Sequence, residues 1–101
     1  MSWARLACAA VVAVSSSSCA KALSDDDCNA LLDRYTELLA KSQNAQMPAQ
    51  RISELQERAR ELARNEPAYE FADCAQRVSR RHFECAMQAP SVDEMERCLI
   101  F

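Results

Sequence analysis

Glycine is absent from this 101-residue chain. Without it, backbone at positive φ is hard to place. That disfavours tight primed hairpins, and it disfavours phosphate loops, which need backbone to approach a ligand closely. Aromatic residues make up only 6% of the chain, prolines number three, and there is one histidine. What is present is half hydrophobic by count, too apolar for a disordered chain. Ala, Leu, Glu, Arg and Gln dominate, and these are good helix formers. Composition alone therefore points to an all-α fold, and the length allows one domain.

The first 22 residues have the shape of an export signal. Arg5 supplies a short positive region, Leu6 to Val14 is a nine-residue apolar run, and Ser15 to Ser18 is small and polar. A spanning helix needs about 20 apolar residues, so this run is too short to cross a bilayer. The three-part pattern is that of a secretory signal. Two ways of processing it remain open. Ala20-Lys21-Ala22 is an A-x-A site, with Ser18-Cys19-Ala20 as a second small-residue site, and cleavage at the first starts the mature chain at Leu23. Alternatively Cys19 is the lipidated cysteine of a bacterial lipoprotein, with small Ser17 and Ser18 before it. Ser16, where Leu or Val is usual, departs from that pattern. The expected division is 1–22 as signal peptide and 23–101 as the folded domain.

Of six cysteines, Cys8 and Cys19 fall in the targeting segment. Cys28, Cys74, Cys85 and Cys98 remain, an even number in a small exported domain, which predicts a two-disulfide framework. Removing residues 1–22 takes away Arg5 and Lys21 and no acid. The 12 Lys and Arg fall to 10 against 15 Asp and Glu, a formal net charge of −5. That balance disfavours nucleic acid and anionic membrane as partners. A membrane role then depends on lipidation of Cys19.

Four helices are expected. Ser24 caps the first, with Asp27 at its third position, an S-x-x-D form of the capping box. Cys28, Leu31, Leu32, Tyr35, Leu38 and Leu39 follow at helical spacing, and the helix ends near Lys41 or Ser42. Pro48 is placed as first residue of the second helix. Ile52, Leu55, Ala59 and Leu62 form its inner face. Glu54 with Arg58, Glu57 with Arg60 and Glu61 with Arg64 are expected as surface pairs. Asn65 suits a left-handed cap, and Pro67 restarts a helix. This third helix, 67–88, places Phe71, Cys74, Val78, His82, Cys85 and Ala89 on one side and Tyr69, Ala72, Phe83 and Met87 on the other. Apolar on two faces, it is expected to be the central element. Pro90 ends it, and Ser91-Val92-Asp93-Glu94 is an S-x-x-E capping box that opens a short fourth helix with Val92, Met95, Cys98 and Leu99 inside. The fold class is an all-α bundle of three main helices and a short C-terminal helix, stapled by two disulfides.

On one intact helix, Cys74 and Cys85 lie about 16 Å apart, beyond the roughly 7 Å that a disulfide tolerates between Cα atoms. Two connectivities remain. Short loops make successive helices antiparallel, so the first and third start at the same end, which favours Cys28 with Cys74. The fourth helix folds back from Pro90, which favours Cys85 with Cys98. The alternative joins Cys28 to Cys85 and Cys74 to Cys98.

Chemistry-bearing residues are sparse. His82, with Cys85 three positions on, could complete a zinc site with Cys74 and Cys98, but exported thiols oxidise. A packing or surface histidine is the favoured reading, and no metal or other cofactor is expected. Ser79 precedes His82 by three residues, which alone does not make a catalytic pair. Arg77, Arg80 and Arg81 form a basic patch able to hold a carboxylate or phosphate, with Asp73 and Glu84 as local partners. Met47, Met87 and Met95 could line an adaptable groove, and Leu99-Ile100-Phe101 ends the chain on an apolar note.

From Cys74 onward, Cys85-Ala86-Met87, Ala89, Ser91, Asp93-Glu94-Met95 and Cys98-Leu99 resemble the C-terminal motif of small four-cysteine helical proteins of Gram-negative envelopes. The resemblance covers the last third of the chain and an N-terminal cysteine in a Leu-rich helix. It implies export and a disulfide fold, periplasmic or extracellular or else lipid-anchored at the outer membrane, and it brings no catalytic residue. The expected function is binding or structural, with a protein partner in the envelope and no catalysis. The alternative is a carrier or sensor of a small apolar ligand held between the helices. A distinct apolar cavity would favour the carrier, and a filled core with an exposed apolar strip would favour protein interaction.

Overall fold

The computed structural model describes residues 22–99, and the expected leader 1–22 falls almost wholly outside them. Five helices follow in order: α1 Asp25–Gln43, α2 Ala49–Asn65, α3 Cys74–Arg77, α4 Arg80–Gln88 and α5 Val92–Cys98. No strand occurs among the described residues. The architecture is an all-α small bundle with two disulfides.

α1 begins as its sequence dictates. The Ser24 hydroxyl accepts from the Asp27 amide at 3.0 Å, and the Asp27 carboxylate accepts from the Ser24 amide at 3.0 Å. Both halves of the capping box therefore satisfy donors that the helix itself leaves open. Asp25, Asp26 and Asp27 also place negative charge at the positive end of the helix dipole. Leu31 and Leu32 are fully enclosed, while Cys28, Tyr35 and Leu38 are half-buried against the same core.

The core collects Leu23, Leu31, Leu32, Ala59, Phe71, Cys74, Val78, Ala86, Ala89, Met95 and Leu99 from every helix and both flanks. Enclosing a Leu or Met side chain contributes about 1.5–3 kcal/mol. The fully buried Leu31, Leu32 and Met95 therefore matter more to this thin core than any surface pair.

α1, not the third segment, is the central element. It packs against each of the other four helices, α4 and α5 pack on each other, and α2 touches α1 alone. The reason is a break in the expected 67–88 helix. Residues 67–73 form successive turns, closed by bonds such as Tyr69 N–H to Glu66 O and Ala72 N–H to Tyr69 O, both 3.0 Å. After the one-turn α3, Val78 is extended at φ −112°, ψ 122°, and Ser79 caps α4 by accepting from the His82 amide at 3.1 Å. A serine whose hydroxyl can take a nearby amide competes with continued helix. The break shifts the buried face: Ala86 becomes fully enclosed, while Cys85 is exposed.

Smaller corrections concern helix ends and surface pairs. Pro48 sits at the N-cap of α2 rather than inside it. Asn65 ends α2 without a left-handed turn. Glu66 is extended, its amide bonding Leu62 O at 2.8 Å, and no described residue has positive φ. At α5 only the Ser91 half of the capping box forms, with the hydroxyl accepting from the Glu94 amide at 3.2 Å. The three expected pairs on α2 do not close among the described residues. Arg60 instead crosses to Asp33 of α1, and Glu54 pairs with Arg51.

Cys28 is bonded to Cys74 and Cys85 to Cys98, with Cα atoms 5.9 and 5.7 Å apart. These are the pairs favoured from the sequence, but one premise differs. With the helix broken at Val78, the intact-helix reason for excluding Cys74–Cys85 no longer applies. What joins Cys74 to Cys28 is the packing of α3 on the first turns of α1. Two disulfides mark an oxidising environment of the kind exported proteins meet. No helix among the described residues is long and apolar enough to cross a membrane.

The bridges span 46 and 13 residues. Chain entropy then gives about 4 kcal/mol for the first and about 3 for the second. Replacing both Cys28 and Cys74 by serine should cost about 1 kcal/mol more than replacing Cys85 and Cys98, by that same scaling. Urea unfolding of the two variants checks this, and equal losses would contradict it.

Candidate interaction surface

α2 lies across α1 through polar ties that leave apolar side chains uncovered. Arg60 pairs with Asp33, and the Gln56 amide donates to Asp33 O at 3.0 Å. Ile52 and Ala59 face inward and are buried. Further along the seam the packing opens. Leu39 and Leu62, both expected inside, are 36% and 42% exposed and are the large apolar side chains most open to solvent. They line a groove of 260 Å³ with Tyr35, Ala40, Leu55 and Tyr69, and with Arg58 and Gln43 among its polar members. Spacing put Leu39 and Leu62 on the inner faces of their helices, and the structure leaves both open to solvent. Spacing did not reveal that nothing in the described chain covers them.

Tyr35 forms the boundary of this groove. Its hydroxyl donates to Glu96 of α5 at 2.7 Å, and its ring lies 5.3 Å from that of Phe71, which is 5.9 Å from Tyr69. On the other side of Tyr35 is an open cleft of 300 Å³ lined by Tyr35, Glu70, Phe71, Glu96 and Leu99. Burial, then the bond to Glu96, then the charges of Glu96 and Glu70 push the Tyr35 phenol well above its ordinary value. Tyr69 is raised too, by burial and by Glu70.

A larger open cleft, 540 Å³, lies where the start of α1 meets the end of α2 and residues 71–76. Asp25, Asn29, Arg60, Arg64 and Gln76 line it beside the Cys28–Cys74 bridge. Ala63, Phe71, Ala72 and Ala75 complete its lining, and it opens to solvent, so it is not the enclosed apolar cavity a carrier needs. Nor do the methionines assemble: Met95 is fully enclosed in the core, Met87 is half-buried on α4, and Met47 lies in the α1–α2 loop. None of them lines the three clefts described here.

His82 sits in the first turn of α4, half-buried, with its Nδ1 3.1 Å from the Ser79 hydroxyl. That hydroxyl is the helix cap, which gives the Ser79–His82 pair a structural role. No described cysteine is free, so Cys74, Cys85 and Cys98 offer no thiolate to a metal. Of the basic patch, Arg80 is drawn into the fold, while Arg77 and Arg81 are exposed. Arg80 reaches Asp27 of α1 at 3.1 Å and lies 5.6 Å from the centre of the Phe83 ring. Arg34, unremarked in the sequence, donates to Ala89 O at 3.2 Å and to Glu37 at 3.4 Å, tying α1 to the turn before α5. Ile100 and Phe101 lie outside the described residues, and so does Cys19.

Fold and surface together define a small disulfide-stapled helical bundle with a filled core and an open apolar seam. Set against protein-family models, curated proteins and solved structures, the chain matches none.

The carboxylate of Asp27 is held below its ordinary 3.8, first by the Ser24 amide and also by Arg80. A lowered acid contributes stability above its unfolded value and loses it as pH falls through the folded one. Tyr35 works in the opposite direction: its raised phenol contributes fully below the ordinary 10.0 and loses that contribution as pH rises beyond it. Stability measured by urea unfolding should therefore fall from about pH 10 upward. Tyr35→Phe should flatten that alkaline loss, and an unchanged alkaline limb in this variant would contradict the assignment.

Proposed function

We propose that this chain is an exported envelope protein that works by binding another protein, with no catalytic step of its own. In this reading residues 1–22 are the targeting segment and 23–101 the working domain. The location is periplasmic or extracellular, or the outer membrane surface where Cys19 carries lipid. The observation that carries the proposal is the uncovered seam between α1 and α2 at Leu39 and Leu62, on a bundle whose centre is filled by Leu31, Leu32 and Met95. Exposed apolar strips with polar rims mark contact sites. A carrier of an apolar ligand would instead need an enclosed apolar cavity, whereas these clefts open to solvent. The two disulfides and the resemblance of the Cys74–Leu99 region to four-cysteine envelope proteins support the cellular setting.

Intact mass of the exported product tests the setting. Leu23 to Phe101 less four hydrogens is the expected species. Acyl chains on Cys19 would place the protein on a membrane, and four free thiols would overturn the reading. For the seam, a photo-crosslinking residue at position 62 should give a discrete protein adduct in the envelope, and one at the exposed Asp93 of α5 should not. Leu39→Ser should remove the adduct and cost about 1–2 kcal/mol of stability, since part of the side chain is covered, while the fold measured by circular dichroism is retained. Identical adducts from both positions, or none from position 62, would sink the docking role.

A further inference from the structure

The seam does not stand alone, and its surroundings carry a sign of charge. Tyr35 is shared between the apolar groove and the adjoining cleft that holds Glu70 and Glu96. Neither carboxylate is in an ion pair among the described residues, in contrast to Asp27, Asp33, Glu37 and Glu54, each of which meets an Arg or Lys. Glu96 is held in place by the Tyr35 hydroxyl at 2.7 Å, which occupies one of its oxygens and leaves the other to accept. Both acids act on the Tyr35 phenol through their charge, so they share one electrostatic neighbourhood. Arg58 is the basic residue lining the groove, and Glu54, Glu57, Glu61 and Arg64 share an open surface cleft with it. The folded domain as a whole is acidic.

From this arrangement we propose that the partner docks through a segment that pairs apolar side chains with lysine or arginine. The apolar side chains occupy the Leu39–Leu62 groove, and a cationic side chain reaches past Tyr35 to Glu70 and Glu96. This rests on the docking role proposed above and names the partner's chemistry. Apolar contact supplies the attraction common to many sequences, and the two carboxylates select against an acidic one. The Tyr35 ring beside them also suits a cation with an alkyl stem, which packs its methylenes while its head meets the acids.

The test uses the oxidised, exported protein and two short amphipathic peptides with identical apolar residues. One carries lysines at its polar positions and the other glutamates. The lysine peptide should bind at least about five-fold tighter at low salt, as two partly exposed charge pairs allow. The preference should fade in about 1 M salt, where the Debye length is about 3 Å. NMR shifts should appear at Tyr35 and Glu96 as well as at Leu39 and Leu62. Glu70→Gln with Glu96→Gln should abolish the preference while retaining binding of both peptides, since a carboxamide oxygen at position 96 still accepts from the Tyr35 hydroxyl. Leu39→Ser with Leu62→Ser should weaken both peptides alike. Equal binding of the two peptides, lost in the serine variant, would overturn the charge preference and leave the docking role standing. A lysine preference that survives the glutamine substitutions would overturn it also, as a general effect of net charge. Binding of neither peptide would overturn the proposal and remove its support from the groove.

Discussion

Everything in this bundle is referred to α1. Its buried Leu31 and Leu32 give the core its centre. Its polar and sulfur-bearing positions then hold each neighbour by a separate bond: Cys28 to Cys74, Asp27 to Arg80, Asp33 to Arg60 and Gln56, Arg34 to Ala89 O, and Tyr35 to Glu96. These contacts follow one another along about two and a half turns of the helix. Each is modest alone. They act together because the helix fixes their spacing at about 1.5 Å per residue, so a neighbour cannot slide without breaking its tie. The disulfide differs from the rest in acting on the unfolded chain, where closing a long loop removes conformational freedom that folding would otherwise have to overcome.

The dependence on α1 also explains where the surface is open. α4 and α5 are short and pack on each other as well as on α1, with Ala86 and Met95 enclosed in the core, and the one-turn α3 meets α1. α2 is long and lies alone on α1. A helix with a single neighbour can bury only one stripe, so the apolar residues at the stripe's edge remain half in solvent. Leu62 is such an edge residue on α2, and Leu39 of α1 lines the same groove. The candidate interaction surface is therefore a consequence of uneven coverage of α1, and its acidic border comes from α5 and the turns that precede α3.

Local signals fared well where the physics is local. The Ser24–Asp27 cap, the Ser91 hydroxyl on the Glu94 amide, and the inward Met95 and Leu99 all follow from residues within a turn of one another. The expected continuous 67–88 helix failed for a related reason. Its apolar spacing fits a helix throughout, but Ser79 offers its hydroxyl to the His82 amide and Val78 takes an extended conformation. A serine at that point followed by Arg80-Arg81-His82 was a readable N-cap, outweighed by a periodicity that spanned the break. The expected α2 pairs failed because Arg60 had a partner on another helix, Asp33, which sequence spacing does not show.

By itself the sequence determined the helical class, the positions of most helix ends, the four cysteines of the framework and most of the inward positions of the first helix and the last. These depend on composition, on 3.6-residue periodicity and on capping chemistry, all of which act over a few residues. Only the tertiary structure decided that α1 is the hub, that Cys85 is exposed while Ala86 is enclosed, and that Leu39 and Leu62 have no cover among the described residues. Those outcomes depend on which helix lies beside which, and one break at Val78 and Ser79 was enough to change the answer.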